Sequence, residues 1–126
     1  MRWWPWRRPR DLGQRGEDLA VRYLRRQGYV ILGRNRCFGR YEIDIIAQSG
    51  DTVAFVEVKT RRSDDTADPE DNVGYVKQRH IRRAAWQYID ERNDPDLYYR
   101  FDIIAVLIPE KGEPDIRHIP DAFGDE

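Results

Sequence analysis

Three charged residues interrupt an otherwise apolar hairpin between Tyr41 and Arg62. Asp44 lies between Ile43 and Ile45, Glu57 between Val56 and Val58, and Lys59 follows one residue later. Two carboxylates in such a place are the residue types that hold a hard divalent ion, and an ammonium beside them can neutralise one. Side chains alternate along a strand, so Glu57 and Lys59 share one face, about 6.5 to 7 Å apart by strand rise. If Ser49-Gly50 is a two-residue turn, partner indices sum to 99 and Asp44 lies opposite Phe55, diagonal to Glu57. If the loop is Ser49–Thr52, they sum to 101 and Asp44 lies directly opposite Glu57. Both registers bring Asp44, Glu57 and Lys59 to one face, whereas a one-residue slip sends every side chain to the other.

Two readings of this triad stand side by side. One is a surface hairpin with a cross-strand ion pair worth about 0 to 1 kcal/mol. The other is a carboxylate pair, costly to bury without a cation, compensated by Lys59 and by a divalent ion bound through carboxylate oxygens and water. The flanking runs IIA and AFVEV place the region deep in a sheet and favour the ion.

The elements that must position these residues follow from periodicity. A first helix is expected from about Leu12 to Gln27, with Leu19, Ala20, Tyr23 and Leu24 inward, Arg25-Arg26 in its last turn and Gly28 at C′. Glu17 falls beside that inward face, and the small residues Gly16 and Ala20 allow a close approach. Strands are expected over Tyr29–Asn35, Tyr41–Ala47 and Thr52–Thr60. The polar run Arg61–Asn72 reads as a loop. A second helix, Tyr75–Arg92, carries the stripe Ile81, Ala84, Ala85, Tyr88 and Ile89 and ends at Asn93-Asp94-Pro95. Tyr99–Ile108 reads as a central strand and Asp115–Ile119 as a short closing one. The order αβββαββ predicts a mixed α/β domain over residues 12–120, preceded by a basic, Trp-rich arm (1–11) and followed by an acidic tail (121–126). The tryptophans of the arm, Trp3, Trp4 and Trp6, either extend from the body or pack on it or on a second copy.

The chain has 126 residues, with 40% hydrophobic and 36% charged, which suits one domain with a packed core. No apolar run approaches a membrane span, and the opening MRWWPWRRPRD has no apolar stretch of a secretory signal. The lone Cys37 excludes an internal disulfide and fits a reducing, cytoplasmic setting. The net charge of −1 is divided between a basic first part, residues 1–40 with 11 Lys+Arg and 3 Asp+Glu, and an acidic remainder. Such asymmetry hints at a basic binding face.

Ile43-Asp44, twelve residues, then Glu57-Val58-Lys59 resembles the PD-(D/E)xK nuclease motif. The chain as a whole resembles the YraN-like family of bacterial proteins. The matching residues are Gly13–Gly28 (GQRGEDLAVRYLRRQG), Arg34-Asn35-Arg36, Glu42-Ile43-Asp44, Phe55–Arg61 (FVEVKTR), Lys77–Tyr88 (KQRHIRRAAWQY) and Arg100-Phe101-Asp102, covering about residues 12–108. The resemblance implies a restriction-endonuclease-like fold similar to archaeal Holliday-junction resolvases. It implies that Asp44 and Glu57 hold a metal, with help from Glu17 and the Val58 carbonyl, and that Lys59 orients the attacking water. Mg²⁺ is the expected ion, with Mn²⁺ as a substitute. Lys77, Arg34, Arg36, Arg40 and Arg61 are candidate phosphate contacts, or ordinary surface cations. Tyr41 stands where the family more often has glycine. With no base-reading motif in the chain, the expected function is a metal-dependent endonuclease selective for DNA shape, such as branched DNA, with DNA favoured over RNA. A two-fold junction would call for a homodimer. The alternatives are a nucleic-acid-binding module without efficient chemistry and an interaction scaffold using the Trp-rich arm. Asp102 reads as structural, paired with Arg100, and His80 and His118 as ordinary.

Overall fold

The computed structural model describes residues 11–62 and 74–124. The Trp-rich arm up to residue 10 and residues 63–72 of the expected loop lie outside the described residues, while Arg61 and Arg62, expected in that loop, extend β3 by pairing with Leu107 and Ile108. The elements run α1 (Leu12–Arg26), β1 (Val30–Phe38), β2 (Tyr41–Ser49), β3 (Thr52–Arg62), α2 (Tyr75–Arg92), β4 (Tyr98–Ile108) and β5 (Asp115–Ile119). They form one five-stranded sheet in the order β1-β2-β3-β4-β5, with β3 and β4 parallel and the other pairs antiparallel. The expected αβββαββ order is therefore the observed one, and the arrangement is restriction-endonuclease-like.

Local chemistry sets the boundaries. Asp11 caps α1: its Oδ1 accepts from the Gln14 N–H at 2.8 Å, and Gln14 returns its side-chain oxygen to the Asp11 N–H at 3.3 Å, so two orphan donors are satisfied together. At the other end Gly28 has φ 95, its N–H donates to the Arg25 carbonyl, and the Tyr29 N–H donates to the Leu24 carbonyl. That pair of bonds is a Schellman close, which needs the left-handed residue glycine tolerates. The β2–β3 turn is Gly50-Asp51, with Gly50 at φ 61 and Ser49 paired to Thr52. Indices across this hairpin sum to 101, the register that sets Asp44 opposite Glu57.

The sheet is covered on both faces. Val53, Phe55, Phe101 and Ile103 pack with Ile81, Ala84, Ala85 and Tyr88 of α2. Ala54, Val56, Ile104 and Val106 pack with Ala20, Val21 and Leu24 of α1. A strand buried on both faces reads as a continuous apolar run, as β4 does, and a buried charge on such a strand needs a specific reason. β1 runs to Phe38, three residues beyond the expected end at Asn35, because Arg36, Cys37 and Phe38 pair with Ile43, Glu42 and Tyr41.

A candidate nuclease centre where two strands part

Glu57 sits on the α2 face of β3 and is only 5% exposed. Its Oε2 lies 3.8 Å from Lys59 Nζ on the same strand and 3.5 Å from Lys77 Nζ on α2. Its Oε1 is buried without a hydrogen-bond partner. Burial, and then the negative charge of Asp44, push the Glu57 carboxyl up to about 8. A buried carboxylate oxygen without a partner is uncommon, and burial beside a second carboxylate is what suppresses ionisation.

Asp44 is positioned by an interruption in the sheet. The β2–β3 ladder ends at Ile45↔Val56, one step short of Asp44 and Glu57. In the β1–β2 ladder, Arg34↔Ile45 and Arg36↔Ile43 bracket Asn35 and Asp44, which form no ladder pair themselves. Face alternation breaks at the same place, since Ile43 and Ile46 join the α2-side core while Ile45 joins the α1 side. Freed from both neighbours, Asp44 turns its Oδ2 to the backbone N–H of Val58 at 2.8 Å. The carboxylate thereby reaches the residue between Glu57 and Lys59.

Glu17 arrives from α1 because Gly16 lets the helix touch β3. A Cβ on Gly16 would lie 2.8 Å from Thr60 Cβ and still closer to the Thr60 hydroxyl. Glu17 Oε1 accepts from Asn35 Nδ2 at 2.8 Å and lies 3.9 Å from Arg34. Burial, then the Asp44 charge, raise its carboxyl to about 7, against a lowering pull from Arg34. The three carboxyls that the sequence marks are thus one electrostatic unit. Among the described residues, no three His, Cys, Asp or Glu side chains already converge on a common ion position. Asp44 and Glu57 are the central pair and Glu17 the flank.

The other expected residues divide. Lys77, at the start of α2, reaches the centre through Glu57. Arg61 shares the face of Glu57 and Lys59 by alternation, and its Nη1 is buried without a partner. Arg34 instead grips Asp18 at 2.7 Å, and Arg36 grips Glu91 at 2.9 Å while lying 4.9 Å over the Phe38 ring. Both tie β1 to a helix. Arg40 lies over the Tyr41 ring, and Tyr41 packs in the α2-side core with its ring 4.8 Å from that of His80.

Asp102 belongs to a separate, structural network. It is fully buried, takes two bonds of 2.8 Å from Arg100, contacts His118 Nε2 at 2.8 Å and accepts from the Asp121 N–H at 3.0 Å. Burial acts to raise this carboxyl, but the bonds from His118, Arg100 and Asp121 outweigh it and hold the group below its ordinary value. The expected pairing with Arg100 is observed, and His118 is its second side-chain partner, a role with no local sequence signal.

The sequence reading missed the outer face of α2. Trp86 is 53% exposed, and Tyr75 and Val76 are also exposed. Arg79 lies over the Tyr75 ring at 5.8 Å, and neither Arg79 nor Arg83 makes an ion pair with a described residue. Arg79, Arg83 and Trp86 fall at i, i+4 and i+7, opposite the core stripe. That spacing was visible in the sequence, and reading the helix only for its apolar side passed over it.

A sequence model of the family described as "Uncharacterised protein family UPF0102" matches residues 16–106. The chain belongs to this family. It is 48% identical over 113 residues to the UPF0102 protein of Flavobacterium psychrophilum, covering 90% of this chain and 93% of the relative. It is 43% identical over 115 residues to the UPF0102 protein of Caldicellulosiruptor saccharolyticus, covering 90% and 98%. The UPF0102 protein of Geobacter sulfurreducens is 47% identical over 113 residues, covering 89% and 88%. The matched span contains Glu17, Asp44, Glu57, Lys59 and Lys77, so membership covers the whole carboxylate centre.

Proposed function

We propose that this UPF0102 protein is a metal-dependent endonuclease that hydrolyses phosphodiester bonds in DNA and selects its substrate by shape. One observation carries the reading: a buried carboxylate with an orphaned oxygen faces a second carboxylate where two strands part, with two lysines at its rim. A binding module has no use for paired acids that repel phosphate.

The residues fit a hard divalent ion. Asp44, Glu57 and the Val58 carbonyl would hold it, with Glu17 at the flank, and oxygen donors of this kind suit Mg²⁺ or Mn²⁺. Such an ion supplies a polarised phosphoryl oxygen and a bound water of lowered pKa. Lys59, 3.8 Å from Glu57, would orient the attacking water and offset charge that builds on the phosphate. Water adds to phosphorus, the P–O bond to the leaving sugar oxygen breaks, and that oxygen departs with a proton. Lys77 and the spare Arg61 N–H serve as phosphate holders beside the scissile bond. Arg40, Arg79, Arg83 and Trp86 supply outlying backbone and stacking contacts. Arg34 and Arg36 would have to exchange their acidic partners to do the same.

The test is cleavage of labelled four-way junction, flap, single-stranded and duplex DNA with Mg²⁺, Mn²⁺ or EDTA, beside Asp44→Ala and Glu57→Ala proteins. Cutting that requires the ion and disappears in both variants supports the reading. A folded wild type that binds junctions as its variants do, and cuts nothing, replaces it with a nucleic-acid-binding module.

A further inference from the structure

Among the described residues, three other than glycine have positive φ: Asn35 (49), Asn93 (47) and Asp121 (52). Asn93 closes α2 and Asp121 lies in a turn after β5, sites where left-handed residues are ordinary. Asn35 is different, because it lies inside a strand. The ladder keeps one register across it, Arg34↔Ile45 and Arg36↔Ile43 both summing to 79, so no residue has been inserted. The chain turns locally at Asn35 and resumes. The position it faces by that register is Asp44, which has also left its ladders.

The same residue acts on the third carboxylate. Its Nδ2 donates to Glu17 Oε1 at 2.8 Å, while no described residue donates to Glu17 Oε2. One oxygen is held and the other is left available. Asparagine is among the few residues that tolerate the left-handed region, and it alone of the common choices there adds an amide donor. Backbone outliers of this kind persist where a site over-determines them.

We infer that Asn35 is a positioning residue of the carboxylate centre, its left-handed backbone releasing Asp44 from β1 while its amide orients Glu17 toward the divalent ion. The inference rests on the proposed metal-dependent reading and assigns the centre its outer support.

Asn35→Gly separates the two roles, since glycine keeps the backbone conformation and removes the amide. Mn²⁺ binding by the full chain, followed by the loss of free-ion EPR signal, is compared for wild type, Asn35→Gly, Glu17→Ala and the double variant, each first checked for a cooperative melt. Removal of an outer-sphere partner weakens metal binding by about 10- to 100-fold, so Asn35→Gly is expected to bind about tenfold more weakly. In the Glu17→Ala background the same change is expected to do nothing further, because residues acting through one group are non-additive. Asn35→Ala, which also strains the backbone, is expected to bind more weakly than Asn35→Gly. Unchanged Mn²⁺ affinity in Asn35→Gly overturns the inference and leaves the nuclease reading standing. An equal loss with and without Glu17 also overturns it. A wild type that binds no Mn²⁺ removes both.

Discussion

Glu57 and Lys59 are neighbours on one strand face, yet their tasks separate. Glu57 is buried, with one oxygen facing two ammonium groups. Lys59 is partly exposed beside it, where the proposed reaction would bring a water and a phosphate, and Lys77 comes from another element. Lys59→Met is therefore expected to lower kcat by about 10²- to 10³-fold, the scale for losing one group that stabilises transition-state charge, with little change in KM. Lys77→Met is expected mainly to raise KM, since a phosphate holder acts before and during the reaction alike. Steady-state cleavage of one junction substrate measures both, and an equal kcat loss in the two variants contradicts the division. Asp44, Glu57, Glu17 and Lys59 were legible because charge inside an apolar strand, or beside a helix's inward face, is locally conspicuous. Asn35 was not legible in this role. Its part depends on a φ angle and on a helix residue 18 positions away, and neither is written in strand periodicity.

At the scale of elements, α1 carries Glu17 only because Gly16 lets it lie on Thr60. The small-residue signal at Gly16 and Ala20 announced a close approach without naming its partner, since pairing across the fold is not encoded in one helix. Gly16→Ala forces a Cβ into the Thr60 side chain, and overpacking of this kind costs about 1–3 kcal/mol. Alanine is the better helix former, by about 1 kcal/mol, so a net loss of stability in denaturant melts isolates the packing contact, and unchanged or increased stability refutes it. The outer face of α2 makes a second expectation. Each arginine that contacts phosphate contributes about one unit to the slope of log K against log salt. Arg79→Gln with Arg83→Gln is expected to reduce that slope by about two in catalytically silent Asp44→Ala protein. Trp86→Ala is expected to weaken single-strand binding by about 1–3 kcal/mol through lost base stacking and to leave the slope unchanged. Fluorescence anisotropy across a salt series reads all of these, and an unaltered slope removes α2 from the interface. The two helices and five strands among the described residues were legible from periodicity, and the ends of α2 and β5 fell where expected. β1 continued past Asn35 because pairing with β2 overrides the weak strand signal of Arg36-Cys37.

At the scale of the molecule, two acid clusters among the described residues, each with a buried carboxylate, titrate in opposite senses. Asp102 is held below its ordinary value by its bonds to His118, Arg100 and Asp121 against the cost of burial. A depressed carboxyl contributes stability above its unfolded pKa and loses it as the pH falls through the lowered value. Breaking that cluster with Asp102→Ala removes one partner of a buried ion pair, a loss of about 3–5 kcal/mol, and since Asp102 bonds to Arg100, His118 and Asp121 rather than to the carboxylate centre, it is expected to lower the melting temperature without changing Mn²⁺ affinity. Glu57 and Glu17 lie on the other side. Burial and the Asp44 charge raise them from 4.5 to about 8 and about 7, so the folded state holds their protons more tightly than the unfolded state does. Their contribution is fully present below about 4.5 and is lost as the pH rises through about 7 to 8. The metal-free protein is therefore expected to lose thermal stability steadily from about pH 5 to about pH 8, an alkaline weakness caused by the site. Glu57→Gln removes the larger part of that charge, so its melting temperature is expected to exceed that of wild type at pH 8 and to match it near pH 4.5. A divalent ion that binds only the folded state works against the same loss, by about 2.7 kcal/mol at a hundred times its Kd, and its effect is expected to grow with pH in wild type and to shrink in Glu57→Gln. Melting curves at pH 4.5, 6 and 8, with Mg²⁺ or EDTA, check the set. A flat EDTA profile in wild type means that neither burial nor the Asp44 charge opposes ionisation of Glu57 and Glu17 in the folded protein, and the physical reason for placing an ion there is gone.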